Sequence, residues 1–329
     1  MANIEDVAKR AGLSIATVSR AINGHKYVSD KTKKKVESVM KELGYFPNSV
    51  AQQLRGKSTK LIGVCVHDIS NPFFAYLISS IDMALKEKGY RTIILQTHNS
   101  EEDENAYVGL ILKKQIDGMI IAGSVHINDE MHTLMKEGKL VLCDMHALLP
   151  GEKDIVNIDN HAASYNAATY LINQGYKRIA FCIGGKNPEI DQRFSGYRDA
   201  LSDHNIKFDP SYLYKNVDSL EGGKIWMNDF SMIDKNIRPD AVMTSGDACA
   251  VGMLSMAHEL DIDVPNDIAI VGFDDQPIAE VTDPPLTTIR QPIREMGWYV
   301  GLLLASKLLG EKPPTIPELK TKLIVRQSA

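Results

Sequence analysis

The chain has 329 residues, with 37 Lys+Arg against 42 Asp+Glu, 44% apolar residues and 7% aromatic residues. That is longer than one ordinary domain and apolar enough for more than one core, which excludes disordered, fibrous and collagen-like classes. No run is long enough to span a membrane, and the opening MANIEDVAKR lacks the apolar centre of a signal peptide, so a cytoplasmic protein with no membrane partner is expected.

The net charge of −5 is unevenly spread. Residues 1–60 hold 12 basic and 5 acidic residues, a balance of +7, which leaves 25 basic and 37 acidic residues, or −12, for the remainder. A basic head on an acidic body points to a polyanion-binding domain joined to something else. Cys65, Cys143, Cys182 and Cys249 lie far apart in apolar runs with no C-x-x-C spacing, and read as buried free thiols.

Three short helices are predicted in the head. Asn3 caps Ile4–Ala11, with Glu5 and Asp6 placed against its positive end. After a turn at Gly12, Ser14 caps Ile15–Asn23, which Gly24 closes; Ser29 caps Asp30–Leu43, which Gly44 ends. Ala8, Gly12 and Val18 have helix-turn-helix spacing: a small residue where the helices cross, a left-handed turn, and an apolar residue facing Val7 in the shared core. A recognition helix reads the major groove with exposed residues near its N-terminus, here Ile15, Ala16 and Arg20. Arg20 can donate two hydrogen bonds to guanine, whereas Ile15 and Ala16 touch methyl groups and base edges. Thr17, Ser19, Asn23, Ser29 and Thr32 are placed to bind phosphate, which positions the head without reading sequence.

Beyond Tyr45-Phe46-Pro47, Asn48 can cap a two-turn helix over residues 49–55, which Gly56 ends. A helix that short is marginal in water, and its Leu54 has no obvious partner within the chain. The segment is either a linker helix docked on the body or a helix that folds on DNA with Leu54 as an apolar wedge in the minor groove; in the second case Asn48, Ala51 and Leu54 contact DNA. Ala51–Ser58, AQQLRGKS, is one residue short of a phosphate-binding loop, but the motif needs Gly first and a preceding strand.

IEDVAKRAGLSIATVSRAIN, followed by YFPNSVAQQLRGKSTKLIGV, resembles the lactose/galactose-repressor (LacI/GalR) family of bacterial transcription regulators, and the resemblance continues to the C-terminus. Ile15-Ala16 is similar to the Val-Ala pair of the galactose-type members. The resemblance implies a pseudo-palindromic operator whose central CpG step is opened by paired Leu54 side chains, and a homodimer binding it.

In the body, strands are predicted at Leu61–Val66, Thr92–Gln96, Met119–Ala122 and Val141–Cys143, with amphipathic stretches such as Phe74–Glu87 between them. A second series follows at Ile155–Ile158, Ile179–Ile183, Ala241–Thr244 and Ile268–Phe273. Short buried strands alternating with helices imply doubly wound parallel sheets, and two series imply two lobes. Asp283-Pro284-Pro285 is expected to return the chain to the first lobe, and Pro313–Pro317 to carry it back to the second. The fold class is therefore α/β: a helix-turn-helix head over 1–46, a hinge helix and linker over 47–58, and a two-lobed body over 59–329. Lobe one takes about 59–156 and 289–317, and lobe two about 157–288 and 318–329. The resemblance implies that this body has the periplasmic-binding-protein type I fold, with a ligand cleft between the lobes.

Ligand sites in such sheets lie beyond the carboxyl ends of the strands. Phe73 or Phe74 can stack on a ring there or belong to the core. Asp144 follows a strand, Asp247 either caps the helix over Ala248–Leu260 or binds ligand, and Asp274-Asp275 ends another strand, with Asp275 open to a turn role. Carboxylates with an arginine fork suit a polyhydroxylated ligand. By the resemblance, Arg193 in DQRFSGY and Asp274 in VGFDD fall on effector-binding positions. Gly246 stands where some members carry a ligand-binding Asn, and Asp218 where several carry a stacking aromatic. A sugar or sugar phosphate is the expected effector, with no metal or cofactor.

No nucleophile elbow or zinc-protease motif is present, so no enzyme is expected. Two other readings stand beside the effector-controlled repressor. One is a catabolite-control regulator activated by a phosphorylated carrier protein, disfavoured because Arg294 and Leu303 stand where such members carry Tyr and Arg. The other is a sugar-binding transport protein, disfavoured by the basic head and the missing signal peptide.

Overall fold

The computed structural model describes residues 2–23, 25, 27–45, 58–123, 127–145, 154–184 and 187–329. Asn48, Ala51 and Leu54, the hinge helix around them and the closing Gly24 lie outside the described residues. The chain divides at Thr59 into two units.

In the first unit, α1 (Ile4–Ala11), α2 (Ile15–Ile22) and α3 (Asp30–Leu43) begin at Asn3, Ser14 and Ser29. Each cap side chain accepts a backbone N–H of the first turn, satisfying donors the helix leaves unpaired. Asn3 goes further: Asp6 returns a bond to the Asn3 N–H, completing a reciprocal capping box. Gly12, at φ 64°, turns the chain between α1 and α2, a conformation that any Cβ would strain. Val7, Ala8, Ala11, Val18, Ala21, Val28, Val36 and Val39 form the core of this unit. They are small, so the three helices approach closely and only a modest apolar area holds them.

The second unit contains two sheets. In the first, β1 (Leu61–Val66), β2 (Arg91–Gln96), β3 (Gly118–Ala122), β4 (Leu140–Cys143) and β5 (Ile155–Val156) lie in the order β2-β1-β3-β4-β5, all parallel. In the second, β6 (Ile179–Ile183), β7 (Leu213–Lys215), β8 (Ala241–Met243), β9 (Ala269–Asp274), β10 (Thr287–Arg290) and β11 (Lys322–Ile324) follow the order β11-β10-β9-β8-β6-β7. Only the β10–β11 pair is antiparallel. β1, β3, β4, β6, β8 and β9 are almost wholly buried, as strands covered by helices on both faces must be.

The helices are α4 (Pro72–Glu87), α5 (Glu101–Leu112), α6 (Asp129–Lys136), α7 (Asn160–Asn173), α8 (Gln192–Asp203), α9 (Leu220–Ser231), α10 (Asp247–Glu259) and α11 (Ile293–Leu309). α4 packs along α11, α7 along α8, and α9 along α10.

Two expectations about chain path are corrected. Ile155-Val156 is the edge strand of the first sheet, paired with β4, and does not open the second series. The Asp283-Pro284-Pro285 segment does not leave the second lobe: it leads into β10, which pairs with β9. The return to the first lobe comes after Arg290, where α11 packs on α4, β3 and β4. β11 then rejoins the second sheet.

Candidate functional site

On the head, Val18 and Ala21 turn α2 into the core, leaving Ile15, Ala16 and Arg20 exposed on its outer side. Those are the three residues expected to meet base edges. Of the five expected phosphate ligands, Thr17, Asn23, Ser29 and Thr32 sit at helix ends and Ser19 within α2. The Ser14 and Thr17 hydroxyls are 2.8 Å apart at the start of α2, and those of Ser29 and Thr32 are 2.9 Å apart at the start of α3. Asn23 donates to the Ser19 carbonyl at 2.7 Å. Two helix N-termini with free hydroxyl lone pairs form a surface of phosphate-binding character.

In the second unit, the strand ends bring charges together. Asp191 caps α8, accepting the N–H groups of Arg193 and Phe194, and so sets Arg193 in the first turn. The Arg193 guanidinium is buried and lies 3.6 Å above the Phe273 ring. Its Nε donates to Asn160 Oδ1 at 2.7 Å and its Nη1 to the Ser245 carbonyl at 2.9 Å. The remaining nitrogen reaches across to the first lobe, 3.7 Å from Asp144 Oδ1. Asp274 accepts from Gln291 at 2.6 Å and from Gln276 at 3.1 Å. Gln276 also donates to Asn71 Oδ1 of the first lobe at 3.2 Å. Two polar bridges thus span the cleft, Arg193 to Asp144 and Gln276 to Asn71.

Backbone strain gathers here too. Asp144, Asp274 and Asp275 all have positive φ, at 53°, 117° and 54°. Strained non-glycine residues at strand ends cluster at binding sites because the surrounding fold must hold them there. Beside this cluster opens a cavity of about 570 Å³, lined by His67, Asp68 and Asn71 from one lobe and Asp218, Ser219 and Gln276 from the other. Arg193 lies outside it, and Gln276 joins the two.

Two expectations are settled here. Of the two readings left open for Phe73 and Phe74, the structure takes the core and not ligand stacking: both are buried, edge to face with each other. Asn71 caps α4 and Pro72 begins it, so the two rings fall in the first turn. Asp247 does not cap the helix, because Gly246 is the capping residue and its lack of a side chain leaves the position without a side-chain cap bond. The Asp247 carboxylate instead accepts the Gln276 N–H at 2.7 Å and the Thr288 hydroxyl at 2.5 Å, tying α10 to β9 and β10.

Sequence reasoning missed Asn160, Gln276 and Gln291, neutral amides with no charge to mark them. Asn157 was also missed; it holds the backbone of Met145, next to Asp144, through two bonds.

The buried carboxyls are hard to ionise. Burial pushes Asp144 up to about 7 and Asp274 up to about 6, with Arg193 opposing both. Burial also raises Asp191 and Asp247, the latter further through the nearby Asp274. An acid raised in the folded state contributes stability that is fully present below its unfolded pKa, near 4, and lost as pH rises through its folded value. Between pH 5 and 7.5 the wild-type body is therefore expected to lose on the order of 2 kcal/mol more than Asp144→Asn, which carries no titrating group at that position. Urea midpoints at the two pH values measure this; equal losses would mean that Asp144 is ionised throughout.

A helix-turn-helix head in one chain with a two-lobed α/β body and an interlobe cleft defines a DNA-binding regulator with a ligand-binding type of body. Residues 3–48 match the family "Bacterial regulatory proteins, lacI family", and residues 168–329 match "Periplasmic binding protein-like domain". The HTH-type transcriptional regulator DegA of Bacillus subtilis is 38% identical over 300 residues, covering 89% of this chain and 88% of that protein. The Lac repressor dimer bound to operator and the anti-inducer ONPF superposes with a TM-score of 0.79 at 25% identity, covering 99% of this chain and 98% of the other. A LacI family transcriptional regulator from Lactobacillus casei with bound glucose superposes with a TM-score of 0.74 at 31% identity, covering 82% of this chain and 99% of the other. The chain belongs to the lacI family of bacterial regulatory proteins: it is a DNA-binding transcriptional regulator and not an enzyme. Among the described residues, no helix is long and apolar enough to cross a membrane.

Proposed function

We propose that the protein is a homodimeric repressor that binds a pseudo-palindromic operator and is controlled by a sugar or sugar phosphate in the interlobe cleft. The observation that carries this reading is the buried Arg193–Asp144 pair, which joins the two lobes beside an open cavity. A ligand that competes for these groups changes the energy of the closed arrangement, and so biases the lobe rotation that spaces two heads on DNA.

Ile15, Ala16 and Arg20 read the half-site, while Thr17, Ser19, Asn23, Ser29 and Thr32 position the head on phosphates. In the body, the effector occupies the cavity beside Asp144, Arg193 and Asp274, to which Gln276 links it. Dimerisation is supported by the outer edge of β2, which has no strand partner among the described residues and carries exposed Ile94, and by exposed Met83 and Val281. The operator-bound neighbour is itself a dimer, and the Lactobacillus casei neighbour binds glucose.

The test is fluorescence anisotropy of a CpG-centred palindromic duplex and a scrambled one, at several salt concentrations, with and without sugars and sugar phosphates. Selective binding with a steep salt dependence, changed by one compound, is expected. In the same assay Arg20→Ala should lose about 1–3 kcal/mol on the palindrome and much less on the scrambled duplex. Equal losses on both would remove Arg20 as a reader; equally weak wild-type binding to both duplexes would overturn the operator reading.

A further inference from the structure

We infer that the cleft ligand is a polyhydroxylated amine, an amino sugar with a protonated nitrogen, rather than a neutral or phosphorylated sugar. This rests on the reading of the cleft as the effector site and narrows the ligand class.

The first observation is an acceptor without a donor. Gln276 is 2% exposed and lines the cavity, and its side-chain Oε1 has no hydrogen-bond partner. Its orientation is fixed from the other side. Nε2 donates to Asn71 Oδ1 and to Asp274 Oδ2, and the Gln276 backbone N–H donates to Asp247. Asn71 Oδ1 is itself an acceptor, since it receives the Phe73 N–H at 3.0 Å. Flipping the Gln276 amide would set its oxygen against two acceptors, so Oε1 is the atom of this cavity-lining residue left without a donor. A buried acceptor left unmet is costly, and a ligand N–H or O–H removes that cost.

The second observation is charge. Asp68 and Asp218 stand in opposite walls of the cavity, and among the described residues that line it there is no lysine or arginine. The histidines are His67 and His98. Burial holds His67 below its ordinary value, which favours the neutral ring. Beneath the cavity, Arg193 is the guanidinium set against Asp144, Asp191 and Asp274. Asp247, buried beside Asp274, is pushed towards its neutral form, so Asp68 and Asp218 in the walls are the carboxylates that face a ligand.

A phosphate group entering here meets like charge from both walls, which opposes its binding. A neutral sugar supplies donors but leaves the field uncompensated. An ammonium supplies three donors and a positive charge together, and the sugar hydroxyls donate to the remaining acceptors. Asp218, in the wall opposite Asp68, is the residue that sets this preference.

Isothermal titration of the full-length chain at neutral pH with glucosamine, N-acetylglucosamine, glucose and glucose 6-phosphate tests the inference. Glucosamine is expected to bind about tenfold more tightly than glucose, which is one unit on the logarithmic affinity scale, and glucose 6-phosphate more weakly than either. N-acetylglucosamine, which keeps the bulk and loses the charge, should fall with glucose. In Asp218→Asn the glucosamine preference should shrink to within about twofold while glucose binding persists. Glucose or glucose 6-phosphate binding as tightly as glucosamine overturns the inference and leaves the sugar cleft standing. A preference that survives Asp218→Asn overturns the role of that carboxylate. Binding of none of the four overturns the inference and the sugar-effector reading together, while operator binding is judged by its own titration.

Discussion

Arg193→Met is expected to abolish the effector response and to destabilise the body by about 3–5 kcal/mol, the usual consequence of removing one partner from a buried charge pair. The guanidinium satisfies Asn160 Oδ1 and the Ser245 carbonyl, stacks on Phe273, and is the counter-charge for Asp144 and Asp274. Methionine can fill the space over the ring, yet it leaves two acceptors unmet and the carboxyls without a cation. Their pKa values then rise further, so the loss should be largest at high pH and partly recovered near pH 5, where the carboxyls take up protons. Lysine is no remedy, because one ammonium cannot donate along the three directions of the planar fork and stack on the ring as well. Thermal melts of both variants at pH 5 and 7.5, paired with anisotropy on operator DNA, measure these effects. A methionine variant that melts like wild type at pH 7.5 would show that the guanidinium is not the counter-charge of this cluster.

Much of the head was legible because its signals are local. Asn3, Ser14 and Ser29 cap helices with their own side chains, and Gly12 and Gly44 adopt the left-handed conformation their positions implied. The buried parallel strands were legible as apolar runs. β7 was not: Leu213-Tyr214-Lys215 is a three-residue edge strand with no apolar run to announce it. β10 and β11 were hidden for a related reason, since Thr287 and Thr288 are buried hydroxyl residues bonded to Ser328 and Asp247, partners far along the chain. In the cleft, charged residues at strand ends could be picked out, and the structure gathers Asp144, Arg193 and Asp274 within one cluster. The amides that orient them, Asn160, Gln276 and Gln291, carry no such signal. Phe73 and Phe74 could be read as a platform or as core, and the Asn71 cap and Pro72, which place them in the first turn of a helix covering the sheet, decide for the core.

The crossing of α9 and α10 leads to the second large expected effect, and its sign runs against helix propensity. Gly252 lies inside α10, where alanine normally stabilises by about 1 kcal/mol. Here a Cβ would sit 2.0 Å from the Leu220 carbonyl oxygen, and at Gly223 on α9 it would sit 2.1 Å from the Cys249 carbonyl oxygen. Both obstacles are backbone, so neither can rotate away, and the two helices must separate. Opening a packed contact of this kind costs about 1–3 kcal/mol or more beyond the propensity gain. Gly252→Ala is thus expected to lower the body's stability by about 2 kcal/mol net, with Gly223→Ala similar. The displacement also reaches the ligand site. Ala248 and Val251 on α10 and Leu220 on α9 line the cavity, and Asp247 at the start of α10 holds the backbone of Gln276. Effector affinity should therefore fall along with stability, while a DNA-binding head with its own core keeps its intrinsic affinity for operator. Urea denaturation, effector titration and operator anisotropy on Gly252→Ala separate the three. A variant as stable as wild type would show that α9 and α10 can part without cost, and that their close crossing does not hold the cavity wall in place.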